Sequence, residues 1–137
     1  MSRTNQQIID QALYELGYQS YGATADATDA ADALNALNQM MEEWKHAGRD
    51  LNWFTQDTLA DACPIPKYAE RAVVSSLAMD CGALFNVSPS QSLAMKQSEA
   101  KRVLTTWLLN AKLDNTDMSH LPMGQGNSGR YDINTDQ

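Results

Sequence analysis

Six residues near the C-terminal end of the chain have the spacing of a dinucleotide-binding loop. Residues 124–129 read GQGNSG, which fits the pattern G-x-G-x-x-G. Such a loop binds a pyrophosphate only where a strand precedes it and a helix follows it, because backbone N–H groups at the helix start bind the phosphates. No strand is predicted before Gly124, and only eight residues follow Gly129. We therefore interpret the glycines as part of an extended arm and predict no cofactor.

Two adjacent carboxylates, Glu42 and Glu43, are the next candidates for chemistry. Paired carboxylates can act as acid and base in glycoside hydrolysis. Neighbouring positions on a helix, however, point about 100° apart, so the two cannot easily flank one bond. We interpret them as part of a solvated helix face. Asp57 and Asp61, in a central loop, are interpreted as turn residues.

The histidines and cysteines do not form a recognisable reactive or metal-binding pattern. His46 falls at a predicted helix end, where the helix dipole favours it, and His120 lies at the root of the arm. Cys63 and Cys81 match no zinc spacing and are too few for a disulfide framework. We interpret both cysteines as reduced core residues and predict no catalytic residue and no metal site.

The first two helices have clear ends. Thr4 and Gln7 form a capping box, and Gly17 ends the first helix. The second helix is predicted over about residues 28–47, with Asp26 or Thr28 as its N-cap and Gly48 after its end. Its apolar residues recur at helical spacing and predict one buried stripe: Ala30, Leu34, Leu37, Met41 and Trp44.

The following segment has no helical period and predicts a short irregular or hairpin piece, residues 49–66. Pro66 suits the first turn of a third helix that runs to about Phe85. The residues predicted to face inward on it are Ala69, Val73, Leu77 and Leu84.

The fourth helix is predicted to begin at Ser88 as N-cap, with Pro89 in its first position and Gln91 completing a capping box. Its predicted buried side comprises Leu93, Ala100, Val103, Leu104, Trp107, Leu108 and Ala111. After Lys112 the apolar period stops, and the remaining residues carry too little apolar surface to fold alone. The sequence predicts an all-α fold: a helical domain over residues 1–113 and an extended C-terminal arm over 114–137.

The charge and composition exclude several classes of protein. The net charge of −7 argues against affinity for phosphate backbones, because Lys and Arg drive non-specific nucleic-acid binding. No apolar run approaches the roughly 18 residues that span a bilayer. We therefore expect a soluble protein with no membrane anchor, made in a cytoplasm, past which DNA slides without sequence-specific binding.

The order of these features resembles the head-to-tail adaptor family of short-tailed bacteriophages, also called tail accessory factors or packaged-DNA stabilisation proteins. The resemblance covers nearly the whole chain. It is carried by ALNALNQMMEEWKHAGRDLNW (residues 33–53), by the proline-led third helix, and above all by LPMGQGN (residues 121–127) after the last helix.

The resemblance implies a ring, of twelve copies, assembled beneath the portal protein after DNA packaging, with the helical body in the ring and the C-terminal arm on the portal. The implied location is the head–tail junction of the virion, where tail needle or tailspike-type components would dock. The residues expected to grip the portal are Leu121, Pro122, Met123, Gly124, Gly126, Asn127 and Tyr131.

Trp53 and Phe54 lie on the irregular segment and are candidates for a contact between copies, because aromatic residues are enriched at interface centres. Two other functions stay open. One is a cell-wall glycoside hydrolase that uses a carboxylate among Glu15, Glu42 and Glu43. The other is a generic helical module that binds some other protein.

Overall fold

Four α-helices form the part of the chain that the computed structural model describes, residues 3–114. They are α1 (Asn5–Leu16), α2 (Ala27–His46), α3 (Glu70–Leu84) and α4 (Gln91–Asp114), and a 3-10 turn, Lys67–Ala69, leads into α3. Within residues 3–114 there is no strand, and Thr4 and Ala62 form an isolated bridge. The all-α, four-helix prediction is confirmed. The predicted arm, apart from its first residue, lies outside the described residues.

The predicted ends of α1 are confirmed. The Thr4 hydroxyl accepts a hydrogen bond from the Gln7 backbone N–H at 3.2 Å, and the Gln7 side chain accepts one from the Thr4 N–H at 2.9 Å. Gly17 ends the helix with φ of 91°, a left-handed conformation that glycine adopts without steric cost. Asp26, one of the two predicted candidates, is the N-cap of α2.

The central helix is α3, which packs against α1, α2 and α4. It is buried almost all round over residues 72–78, and Val73 and Leu77 are fully enclosed. A helix that is apolar on every side belongs in the middle of a bundle. Leu84, predicted to face inward, is 47% exposed, because it lies in the last turn where no helix covers that side.

The start of α4 differs from the prediction. The Ser90 hydroxyl accepts the Leu93 N–H at 3.1 Å, so Ser90 and not Ser88 is the N-cap. Pro89 packs against α3 in the turn before the helix, where a Cβ on Gly82 would lie 2.9 Å from the Pro89 ring. The predicted assignment of Ser88 as cap and Pro89 as first helical residue is therefore wrong by two residues.

The buried side of α4 is narrower than predicted. Leu93, Ala100 and Leu104 are buried, whereas Val103 is 47% and Trp107 52% exposed. Val103 lies at the flank of the buried face, since Leu104 beside it is 2% exposed. The exposure of Trp107 follows from length, because α4 has 24 residues and α3 has 15. At 1.5 Å per residue these are about 36 and 22 Å, so the C-terminal turns of α4 extend past the helix that covers its first half.

The segment between α2 and α3 is irregular, so the hairpin alternative does not form. It folds over the start of α1: the Cys63 N–H donates to the Arg3 carbonyl at 2.8 Å, and the Asn5 N–H to the Asp61 carbonyl at 2.9 Å. Cys63 and Cys81 are both buried and free, as predicted.

Candidate assembly surfaces

The irregular segment places its two aromatic residues on opposite sides. Trp53 is 4% exposed and belongs to the core, whereas Phe54 is 64% exposed. Trp53 is therefore not available as a surface contact, and that part of the prediction is wrong. Burial alternates along this segment: Leu51 and Trp53 are buried, and Asn52 and Phe54 are exposed. Phe54 remains a predicted contact residue between copies.

A buried amide network holds Phe54 in place. The Asn38 side chain accepts from the Trp53 indole at 3.2 Å and from the Gln56 N–H at 2.9 Å, and it donates to the Gln56 carbonyl at 2.9 Å. The Gln56 side chain in turn accepts from the Asn5 amide at 3.0 Å. Sequence reasoning missed this network. The one local signal is a polar residue, Asn38, next to Leu37 in the apolar stripe of α2.

An exposed aromatic pair lies where α4 passes the 3-10 turn. The rings of Tyr68 and Trp107 stack with centroids 4.3 Å apart and planes at 27°. Tyr68 is 48% exposed, Trp107 52% and the neighbouring Val103 47%. Trp107 therefore contributes to the surface and not, as predicted, to the core.

The last two turns of α4 carry a second apolar surface, which we call the α4 tip (residues 107–114). On it Leu109 and Leu113, four residues apart on one face, are 56% and 59% exposed. That face lies on the opposite side of α4 from its buried residues, Leu93, Ala100 and Leu104. Exposed leucines at helical spacing are typical of a helix face that contacts another protein.

An open groove runs between α2 and the last turns of α3, and we call it the α2–α3 groove. Its lining mixes apolar side chains with one amide and two carboxylates: Ala36, Gln39, Met40, Glu43, Met79, Asp80, Ala83 and Leu84. The pKa of Asp80 is raised, first by partial removal of its carboxyl from water and then by the nearby charge of Glu43, while Lys101 acts in the opposite direction. An ionised Asp80 would therefore gain from an added cation.

The carboxylates considered for a hydrolase lie on two helices, Glu15 on α1 and Glu42 and Glu43 on α2. Glu15 forms an ion pair with Lys96 at 2.6 Å, and Glu42 is exposed on α2. His46 lies in the last turn of α2, as predicted. Within residues 3–114, no group of three or more His, Cys, Asp or Glu side chains could hold a metal ion.

The two cysteines lie in apolar surroundings that make them poor nucleophiles. Burial raises the pKa of both thiols to about 12, with smaller contributions from Glu70 at Cys63 and from Asp80 at Cys81. Because the thiolate is the reactive form, neither cysteine is poised for redox or nucleophilic chemistry at neutral pH.

The predicted portal-gripping residues lie outside the described residues, as does His120. That set comprises Leu121, Pro122, Met123, Gly124, Gly126, Asn127 and Tyr131. The described helical body presents instead three separate surfaces, namely Phe54, the α4 tip and the α2–α3 groove.

None of the helices within residues 3–114 is long and apolar enough to cross a membrane.

Comparison with known families shows which family the chain belongs to. No curated protein matches the sequence. The sequence model of the family described as P22 tail accessory factor matches residues 1–136. Because that match spans nearly all of the 137 residues, the chain belongs to the P22 tail accessory factor family, a family of structural proteins associated with phage tails.

Proposed function

We propose that the chain is a head-to-tail adaptor: it forms a ring beneath the portal of a short-tailed phage, stabilises the packaged DNA and gives the tail components their docking surface. The observation that carries this proposal is the family match over residues 1–136, which includes both the helical body and the predicted arm. The copies assemble in the host cytoplasm and stay in the virion at the head–tail junction. The ring contains twelve copies.

The charge of the chain supports a role around a DNA channel. With a net charge of −7, a ring of many copies repels the DNA backbone. DNA passes through such a ring without sequence-specific contacts and leaves it easily on ejection.

The predicted arm suits a contact with the portal. It is rich in glycine and polar residues, with apolar side chains at intervals, and residues 115–137 come directly after the end of α4. A segment of this composition can cover a large surface and loses its conformational entropy only on assembly. Leu121, Met123 and Tyr131 are its apolar anchors.

Electron microscopy of the protein mixed with its cognate portal tests the proposal. We expect a ring of density beneath the portal, and we expect the triple variant Leu121→Ala, Met123→Ala, Tyr131→Ala to lose it. Truncation of an interface anchor costs on the order of 2 kcal/mol, and a ring multiplies that cost over its copies. The matched control changes polar residues of the same arm, Gln125→Ala, Ser128→Ala and Asp132→Ala. Wild-type protein that leaves the portal bare would refute the proposal.

A second candidate function, hydrolysis of cell-wall glycosides, is favoured by one observation. Asp80 has a raised pKa and lines the α2–α3 groove together with Glu43, and such hydrolysis needs a carboxylic acid with a raised pKa beside a second carboxylate. The test is a turbidity assay on bacterial walls with Glu43→Gln and Asp80→Asn, and with Glu42→Gln as the control on the exposed face of the same helix. Lysis lost in the first two variants and kept in the third would establish this function.

A further inference from the structure

A pocket of about 220 Å³ lies between α1 and the loop that joins α1 to α2, and we call it the α1-loop pocket. The side chains on its helical wall are those of Gln7, Asp10, Gln11 and Tyr14, with Arg3 ahead of them. The loop contributes Tyr21, Gly22 and Ala23. Sites for drug-sized ligands have about 300 to 1,000 Å³, so this pocket suits a single side chain or ring.

Hydrogen bonds hold the loop against α1, so the pocket is already formed in the free chain. The Gln19 side chain donates to the Ala23 carbonyl at 2.9 Å, and the Ala25 N–H donates to Asp10 Oδ1 at 3.0 Å. Gly22 turns the loop with φ of 80°, which glycine adopts without steric cost. A preformed pocket loses little conformational entropy when a ligand binds.

The end of the pocket near Asp10 offers hydrogen-bond acceptors. Asp10 Oδ1 accepts from the Gln6 amide and the Ala25 N–H, whereas Oδ2 has no hydrogen-bond partner within residues 3–114. The Gln11 amide nitrogen donates to Glu15 at 3.1 Å, and the Gln11 oxygen accepts nothing from the described residues. A ligand at this end must therefore donate hydrogen bonds.

The opposite end of the pocket offers donors. The Gln7 oxygen is used by the Thr4 N–H at 2.9 Å, which leaves the amide nitrogen of Gln7 as a donor. Arg3 donates to Glu70 through one nitrogen at 3.0 Å, and a guanidinium has further N–H groups. A peptide carbonyl suits this end.

Two tyrosine rings form a corner next to the acceptors. The ring centroids of Tyr14 and Tyr21 lie 5.3 Å apart with their planes at 75°, and the residues are 41% and 81% exposed. Tyr14 follows Asp10 by one helical turn, so its ring is a neighbour of the carboxylate. The face of an aromatic ring attracts cations, and a carboxylate beside the rings adds to that attraction.

The charge distribution of the chain also favours a cationic ligand. Residues 4–44 contain seven Asp and Glu residues and no Lys or Arg, whereas the rest of the chain carries ten residues of each sign. The whole net charge of −7 therefore arises in α1, the loop and most of α2. Arg3, which also lines the pocket, is neutralised by its ion pair with Glu70.

We propose that the α1-loop pocket binds an arginine side chain of a protein partner. The guanidinium donates to Asp10 Oδ2 and to the Gln11 oxygen and lies against the ring of Tyr21. Arginine fits better than lysine, because a planar guanidinium both stacks on rings and donates in several fixed directions. The inference goes beyond the adaptor function and involves neither the arm nor ring closure.

Nuclear magnetic resonance of the full chain, titrated with a capped Gly-Arg-Gly peptide at neutral pH, tests the site. We expect the backbone amides of Asp10, Tyr14, Gly22 and Ala23 to shift, with a dissociation constant on the order of 1 mM. The same peptide with citrulline in place of arginine keeps the shape and lacks the charge. It should bind at least about tenfold more weakly, and a lysine peptide should bind more weakly than the arginine peptide.

Variants with matched controls identify the residues. Asp10→Asn removes the charge and keeps an oxygen for the Ala25 N–H, so we expect about tenfold weaker binding of the arginine peptide. Asp32→Asn, exposed in the same acidic stretch, should weaken binding by less than about twofold. Tyr21→Ala should weaken binding about threefold, whereas Tyr68→Ala, at a 48% exposed aromatic residue elsewhere, should not.

Several results would overturn the proposal. Equal binding of the citrulline peptide would show that the pocket takes a neutral ligand, and equal binding of the lysine peptide would show that it does not select a guanidinium. An equal loss in Asp10→Asn and Asp32→Asn would reduce the effect to general attraction by an acidic surface. If Asp10→Asn unfolds, Tyr21→Ala decides, because Tyr21 is 81% exposed, and unchanged binding in that variant refutes the site. The portal is absent from these measurements, so the adaptor function stands or falls separately.

Discussion

The Trp53 indole donates a hydrogen bond to the Asn38 side-chain oxygen across 3.2 Å, and the Gln56 N–H donates to the same oxygen at 2.9 Å. One amide on α2 therefore holds the segment that turns Trp53 into the core and leaves Phe54 on the surface. Buried polar groups contribute little net stability when paired but cost free energy when a partner is removed. The position of Phe54 on the surface thus depends on the hydrogen bonds of Asn38.

We expect Asn38→Ala to lower the free energy of unfolding by about 2 kcal/mol, because it leaves the Gln56 N–H and the Trp53 indole without their acceptor. Urea unfolding followed by circular dichroism measures this. Asn35→Ala is the matched control, since Asn35 is exposed one turn earlier on α2. Equal losses in the two variants would show that the effect comes from helix propensity and not from the network.

The cap of α4 gives a second test. Ser90→Ala removes the acceptor of the Leu93 N–H and should cost about 1 kcal/mol of stability. Ser88→Ala, two residues earlier and exposed, should change stability by much less. The midpoints of urea unfolding for the two variants give the comparison. A larger loss of stability in Ser88→Ala would show that Ser88 is the N-cap, as the sequence alone predicts.

Asp80 gives a prediction about pH. Its pKa is raised in the folded chain, so the folded state holds the proton to a higher pH than the unfolded state, whose value is the ordinary 3.8. As pH rises from the ordinary carboxyl pKa through the raised value, Asp80 loses its proton in the folded state at a cost, so the free energy of unfolding falls. We expect Asp80→Asn to melt higher than the wild type at neutral pH and to match it below the ordinary carboxyl pKa.

Melting temperatures across acid and neutral pH test this prediction, with Asp32→Asn on the exposed face of α2 as the control. A rise in melting temperature that is the same at every pH would contradict it, since that result would reflect packing or helix propensity in place of ionisation.

A truncated chain tests the predicted domain boundary. The apolar side of α4 ends by Ala111, so a protein that stops after Asn115 should keep its helical circular dichroism and its cooperative melt. Loss of helicity or aggregation of this truncation would mean that the helical domain needs residues beyond the predicted boundary.

The free protein is expected to sediment as a monomer or a weakly associated species. If the arm contributes much of the ring's stability only on the portal, the free chain lacks that contribution. Analytical ultracentrifugation over a range of concentrations tests this, and a stable ring without portal would refute it.

NAD or ATP should not raise the melting temperature. Stabilisation that Gly126→Ala abolishes would revive the phosphate-loop interpretation.

The sequence by itself determined the number of helices and several of their ends. The capping box of Thr4 and Gln7 and the left-handed Gly17 involve residues within one or two turns of each other, so local sequence is enough to specify them. The family relationship was also readable from the order of motifs, and the match over residues 1–136 confirms it.

Only the tertiary structure decided which apolar residues face solvent. Leu84 and Trp107 continue the helical periods of α3 and α4 but are about half exposed, because those helices extend past their neighbours. A period specifies the face of a helix, whereas burial depends on what lies opposite that face. The Asn5–Gln56 hydrogen bond and the meeting of Glu43 with Asp80 join residues far apart in sequence, and no local pattern encodes such pairs.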